Sequence, residues 1–141
     1  MNDGEMVAFL NARLDEDEEA AYKAATADRR FGGRPHWSAL GHGIVTDSAI
    51  PDWAVVDLGP CIDDGEVAEH IARHDPARVL REVAFKRAIL ARHTPIKPVV
   101  GLACAWCSDD VDAGARWHQT WPCPDVRDLA AVYSGHPDYR D

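Results

Sequence analysis

The sequence has no long apolar run. Hydrophobic residues make up 46% of its 141 positions, but charged residues interrupt them well short of the ~20 residues a membrane-spanning helix needs. The opening residues predict no secretion leader. Met1 is followed by Asn2, Asp3, Gly4 and Glu5, the wrong charge for a secretion signal. These absences predict a cytoplasmic protein, where thiols stay reduced. Positive charge is scarce: 15 Lys and Arg stand against 24 Asp and Glu, for a net charge of -9. That excludes a general nucleic-acid or anionic-membrane surface, which needs a basic patch. Arg29, Arg30 and Arg34 come nearest to one. An acidic chain instead suits a protein partner with a basic surface.

Several catalytic signatures are missing too. Gly41 and Gly43 are not followed by a helix at the offset of a phosphate loop. No Ser-His-Asp arrangement suggests itself. There is no internal repeat and no low-complexity segment. At this length the expectation is one domain, 1–141, large enough for a single core.

What the chain does have is a concentration of cysteine. Three of its four cysteines fall between 104 and 123, as Cys104-x2-Cys107, then His118 and Cys123. A Cys-x2-Cys pair on a tight turn aims two thiolates at one ion, and a second arm with His and Cys completes the tetrahedron that Zn²⁺ prefers. Cys104, Cys107, His118 and Cys123 are therefore the expected metal ligands, zinc the expected cofactor, and 99–124 the expected zinc module. Gly114 lets the loop between the arms reverse. Four protein ligands leave no place for water, which marks a structural site. The ligand order resembles a zinc knuckle with a longer middle spacer, but the loop carries Asp109, Asp110 and Asp112 against Arg116 alone, so nucleic-acid binding is not expected. A redox Cys-x2-Cys pair and ordinary unliganded thiols are the competing readings. Trp106, Trp117 and Trp121 are expected to pack around the site. Cys61 reads as a small buried hydrophobe.

Around this stretch the periodicity predicts a helix over 3–28, with Met6, Val7, Leu10, Leu14 and Ala20, Ala21, Ala24, Ala25 on its apolar stripe. The acidic run Asp15–Glu19 reads as a solvated face. Short runs Trp37–Leu40, Ile44–Thr46 and Trp53–Leu58 read as three antiparallel strands covered by flanking helices. A second helical region follows over 64–93, broken near Asp75-Pro76, where Asp75 is a good cap and Pro76 suits a first turn. Val79, Leu80, Val83, Ala84 and Leu90 are its expected core face, with Phe85 and Ile89 widening the stripe. Pro95 and Pro98 read as a stiff connector, Val99–Ala103 as a strand, and a last helix starts at Pro124. His136–Tyr139 reads as a polar tail. The fold class is thus α+β: two long helices packed with a small antiparallel sheet and a C-terminal zinc-stapled module.

His70 and His74 are spaced i,i+4 and share a helix face. They lack the glutamate of an H-E-x-x-H helix, and Arg73 and Arg78 stand beside them. Capping or hydrogen bonding is the expected role. A metal-dependent hydrolase built on this pair is the alternative function.

The runs His70–Val83 (HIARHDPARVLREV), Trp121–Pro124 (WPCP), His136–Arg140 (HPDYR) and Val7–Glu18 resemble a small family of uncharacterised actinobacterial and actinophage proteins. The resemblance covers most of the chain apart from about 28–60. It implies a bacterial or phage cytoplasmic origin and supplies no reaction and no catalytic residues. With the acidic charge, the expected function is a small zinc-stabilised protein-interaction or regulatory module, in its narrowest form a phage inhibitor of a host protein.

Overall fold

The computed structural model describes residues 3–26, 35–40, 43–46, 54–57, 64–97, 101–108 and 118–140. The chain divides into two compact units, Met1–Asp15 with Ala84–Asp141, and Glu16–Val83. Both boundaries fall inside helices.

The first of these helices, α1, spans Asp3–Thr26. Its sequence is rich in Ala, Leu and Glu, strong helix formers, with β-branched residues only at Val7 and Thr26. Leu10, Leu14, Ala21 and Ala25 of the expected stripe are buried. Met6, Val7 and Ala24 are half-buried, and Ala20 is exposed. Within the acidic run Asp15, Glu16 and Glu19 are exposed while Asp17 and Glu18 are half-buried. Lys23 pairs with Glu19 at 2.7 Å, and its hydrogen bond holds the Glu19 carboxyl below its ordinary pKa. The predicted end of the helix at 28, with Arg29, Arg30, Gly32, Gly33 and Arg34, lies outside the described residues.

In the unit Glu16–Val83, strands β1 (Trp37–Leu40), β2 (Gly43–Thr46) and β3 (Ala54–Asp57) form an antiparallel sheet in the order β1-β2-β3. Ser38 faces Val45 and Ile44 faces Val56, with a register irregularity between Ile44 and Val45. The expected helical cover comes from α2, Asp64–Arg73, which packs on β1 and β2. Ile44 and Ala68 are completely buried. Cys61 lies outside the described residues, as does Trp53.

The predicted break after α2 is present, and Asp75 makes it. Helix α3 begins at Pro76 and runs to Arg92. The Arg78 backbone N–H donates to Asp75 Oδ1 at 2.6 Å, which satisfies one of the free amides of the first turn. Asp75 Oδ2 faces His36 Nδ1 at 3.3 Å. On the other side of the break, the His74 ring nitrogen Nδ1 lies 2.9 Å from the His70 carbonyl oxygen, where its N–H can serve an unpaired carbonyl at the end of α2. Of the core face expected on α3, Val83 is buried. Val79, Leu80 and Leu90 are half-buried and Ala84 is exposed. Phe85, expected to widen that face, is 64% exposed.

The unit Met1–Asp15 with Ala84–Asp141 holds the second core. It gathers Phe9 and Leu10 of α1, then Cys104, Trp121 and Cys123, then Val126 and Ala130 of helix α4, Pro124–Ala131. Two short strands form a ribbon that the sequence did not predict: β4, Pro95–Ile96, pairs antiparallel with β5, Ala103–Cys104. Pro95 is therefore not merely a connector; of the expected strand 99–103, Ala103 is in β5, Gly101 and Leu102 precede it, and 99–100, like Pro98, lie outside the described residues. Gly101, between the two strands, takes φ 74, the left-handed region that glycine adopts without strain. The expected polar tail is also part of this core. Tyr133, His136 and Tyr139 set their rings edge-on to Phe9, with centroids 6.4, 6.0 and 5.9 Å away. Buried Arg13 stacks over Phe9, donates to His136 Nδ1 at 2.6 Å and pairs with Asp138 at 3.4 Å.

Candidate metal centre

Three of the four expected ligands meet in the second core. Cys104, Cys107 and Cys123 bring their sulfurs together with a ring nitrogen of His93, all four donor atoms lying within 4.8 Å of one another. The histidine expected there, His118, is outside this group. His118 is half-buried, and its Nδ1 is buried with no hydrogen-bond partner among the described residues.

The positions follow from local structure. His93 is the first residue past α3, and its N–H donates to the Ile89 carbonyl at 3.0 Å as if the helix continued. The β4–β5 pairing sets Pro95 against Cys104. The Ala105 N–H donates to Thr94 at 2.8 Å, Cys104 N–H to Gln119 at 2.9 Å, and Trp121 N–H to Leu102 at 3.0 Å. Three chain segments are thus tied together by backbone bonds around Cys104. Residues 105–107 form the turn that returns Cys107. Cys123 sits at the N-cap of α4 in an extended conformation, φ -70 and ψ 165, with Pro124 opening the helix. The Trp121–Pro122 peptide bond before it is cis.

His93 Nδ1 lies 3.5 Å from Cys104 Sγ, 3.4 Å from Cys107 Sγ and 3.3 Å from Cys123 Sγ. A tetrahedral zinc with bonds of about 2.3 Å to sulfur and 2.0–2.1 Å to nitrogen would separate nitrogen and sulfur by about 3.5 Å. The three nitrogen–sulfur edges of the donor set therefore have about the length that a zinc tetrahedron requires. Cys104 and Cys123 are fully buried and His93 is 5% exposed. Only Cys107 is partly open to solvent.

Electrostatics point the same way. Burial, the neighbouring Cys104 and Cys123 thiols and their charges push the Cys107 thiol up to about 12. Cys123 is also raised, by burial first and by Cys104, although the Val126 backbone N–H at the start of α4 hydrogen-bonds its sulfur and favours the thiolate. Packed thiols resist ionising together until a cation shares their charge, and a bound divalent ion reverses this balance.

The other nitrogen of His93 has a partner as well. Nε2 lies 3.5 Å from Asp125 Oδ2 in the first turn of α4. A carboxylate on the far nitrogen of a ligating histidine fixes its orientation and raises its basicity. The same carboxylate oxygen is 4.0 Å from Cys107 Sγ.

The remaining sequence candidates fall elsewhere. His70 and His74 stack their rings at 4.6 Å and are both exposed, and neither joins the metal-ligating group found among the described residues. Of the tryptophans expected to surround the site, Trp121 is 6% exposed and belongs to the core, whereas Trp106 is 62% exposed. Trp117, Asp109, Asp110, Asp112, Gly114 and Arg116 lie outside the described residues. His93 lies outside the 104–123 stretch, within which local spacing offers His118 as the fourth donor. One signal was available: a histidine before Thr94-Pro95 at the end of a long helix, eleven residues ahead of Cys104.

Fold and site together define a small α+β protein carrying one buried His-Cys-Cys-Cys cluster capable of holding a metal ion. The chain belongs to DUF6221, a family of unknown function, whose model matches residues 3–141. That match also takes in the stretch about 28–60, which the motifs quoted above left out. No curated protein and no solved structure matches the chain.

Proposed function

We propose that His93, Cys104, Cys107 and Cys123 hold one zinc ion as a structural staple, and that the protein is an acidic interaction or regulatory module. The observation that carries the reading is the set of three near-equal distances from His93 Nδ1 to the three sulfurs. Sulfur-rich donor sets select zinc over magnesium or calcium, and four protein donors close the tetrahedron against a catalytic water. The net charge of -9 supports a partner with a basic surface, and the free state of Cys104, Cys107 and Cys123 supports a reducing, cytoplasmic setting. Inhibition of a host protein by a phage-borne copy is the narrowest form of this reading, supported by size and charge. The hydrolase alternative on His70 and His74 has less behind it, since His74 Nδ1 is engaged with the His70 carbonyl.

Elemental analysis of protein purified without chelator tests the staple. About one zinc per chain is expected, lost in His93→Ala and Cys104→Ser and kept in His118→Ala. Zinc retained in His93→Ala but lost in His118→Ala would return the fourth position to His118.

A further inference from the structure

Beside the metal centre runs a groove of about 460 Å³, lined by Ile89, Arg92, His93, Trp106, Asp125, Asp128 and Leu129. Its walls are α3 and α4, and two distances give their relative direction. Lys86 Nζ is 3.1 Å from Tyr133 Oη, and His93 Nε2 is 3.5 Å from Asp125 Oδ2. The helices are therefore antiparallel along this groove, with the 86/133 end opposite the metal end.

Phe85 stands one turn before Ile89 on α3, and Val132 follows one turn after Leu129 at the end of α4, so both continue the lining faces at the 86/133 end. These two residues and Trp106 are 64%, 63% and 62% exposed. Large side chains left this open around one groove mark a contact surface more often than scattered ones do. From Phe85 to Arg92 the α3 wall is about two helical turns long, roughly 10 Å.

Charge identifies the occupant. Asp125 and Asp128 line the α4 wall, and a cluster of three thiolates on a divalent ion keeps one net negative charge. Arg92 is the cation facing them, and its guanidinium lies over the Trp106 ring at 5.6 Å from the centroid. The metal end of the groove is thus net negative, as the whole chain is.

We infer that the α3–α4 groove docks a short amphipathic helix of a partner protein, its apolar face on Phe85, Ile89, Leu129, Val132 and Trp106 and its Lys or Arg residues on Asp125 and Asp128. An apolar helix face set into such a groove is a common mode of peptide recognition. The inference rests on the interaction-module reading and names its surface and the partner's chemistry.

The test uses the full-length, metal-loaded protein and two labelled synthetic helices of about fourteen residues. Both carry leucines at helical spacing, one with lysines and one with glutamates at the polar positions. Fluorescence anisotropy should show the Leu/Lys helix binding at least tenfold more tightly than the Leu/Glu helix. Phe85→Ser and Asp128→Lys should each weaken it about tenfold, while Glu66→Lys, the same charge change at an exposed position of α2, should leave it unaltered. Circular dichroism and zinc content establish that each variant is folded and loaded. Equal weakening by Glu66→Lys and Asp128→Lys would reduce the effect to general attraction and overturn the groove. So would binding that ignores Phe85→Ser, no binding at all, or a dimer of the protein that Phe85→Ser abolishes, which would make the occupant a second copy. Zinc content reads the staple separately: a protein without zinc whose groove variants still lose binding would overturn the staple and keep the groove.

Discussion

At the residue scale, His93 depends on what stands behind it. Its Nε2 meets Asp125, a side chain 59% exposed. An exposed ion pair by itself contributes little, so the effect of Asp125 on folding should be small and its effect on the metal larger. Asp125→Asn should weaken zinc binding about tenfold, the low end of the range for such supporting carboxylates. Competition with a colorimetric chelator would measure it, and unchanged affinity would mean that Asp125 does not orient the ring. The thiols supply a second prediction. Raised pKa values keep Cys107 and Cys123 protonated near neutral pH, so zinc must displace their protons and its affinity should rise with pH. In the metal-free protein the sign is opposite for stability. A thiol whose folded pKa is raised contributes stability that is present below its ordinary value of 9.0 and lost as pH climbs toward about 12. Urea titrations should therefore show the metal-free form weakening above about pH 9, with the zinc-loaded form less affected; matching profiles for the two forms would contradict the linkage.

At the element scale, the α2–α3 junction is the feature most fully written in the sequence. Asp75-Pro76 carries both a cap and a first-turn proline, and each acts within a few residues. Asp75→Ala should destabilise the protein by about 1–2 kcal/mol, the upper part of the range for caps, because Asp75 is also 8% exposed and faces His36. Asp75→Asn should cost less, since an amide oxygen can still accept from the Arg78 N–H. Chemical denaturation of the two variants would decide it; equal losses would shift the weight from the cap to the His36 contact. The β4–β5 ribbon was illegible for the opposite reason. Two-residue strands leave no periodicity, and Pro95 reads as a breaker until its partner Cys104 is known. The same gap hid His93, whose role is set by segments brought together in space. The Cys-x2-Cys turn and Cys123 were legible because ligand spacing on a turn is a local property. Periodicity gives Phe85 a helix face and composition gives the chain end a polar character, but neither says what covers them.

At the scale of the whole molecule, each unit has its own means of holding together. The unit Glu16–Val83 has a sheet with α2 against it, while the other builds its core around Cys104 and Cys123. Chelation should therefore act unevenly. Hydrogen exchange after zinc removal should rise most in 93–108 and 118–131, with the amides of β1, β2 and α2 changing least. Uniform loss of protection would instead mean that the two units melt as one.

The make-up of the unit with the His-Cys cluster also has a consequence in time. Its first piece, up to Asp15, is separated from the rest by the whole of Glu16–Val83. A ribosome adds about 5–20 residues per second, so Phe9 and Leu10 are made several seconds before Val126 and Ala130, against which they pack. Cys123 is likewise the last of the four donors to be made. In the growing chain the intervening unit can finish first, and the N-terminal segment must wait with its apolar side chains uncovered. Slow translation lengthens that wait, so a cell short of chaperones would meet the cost of this split core during synthesis, before any mature protein exists.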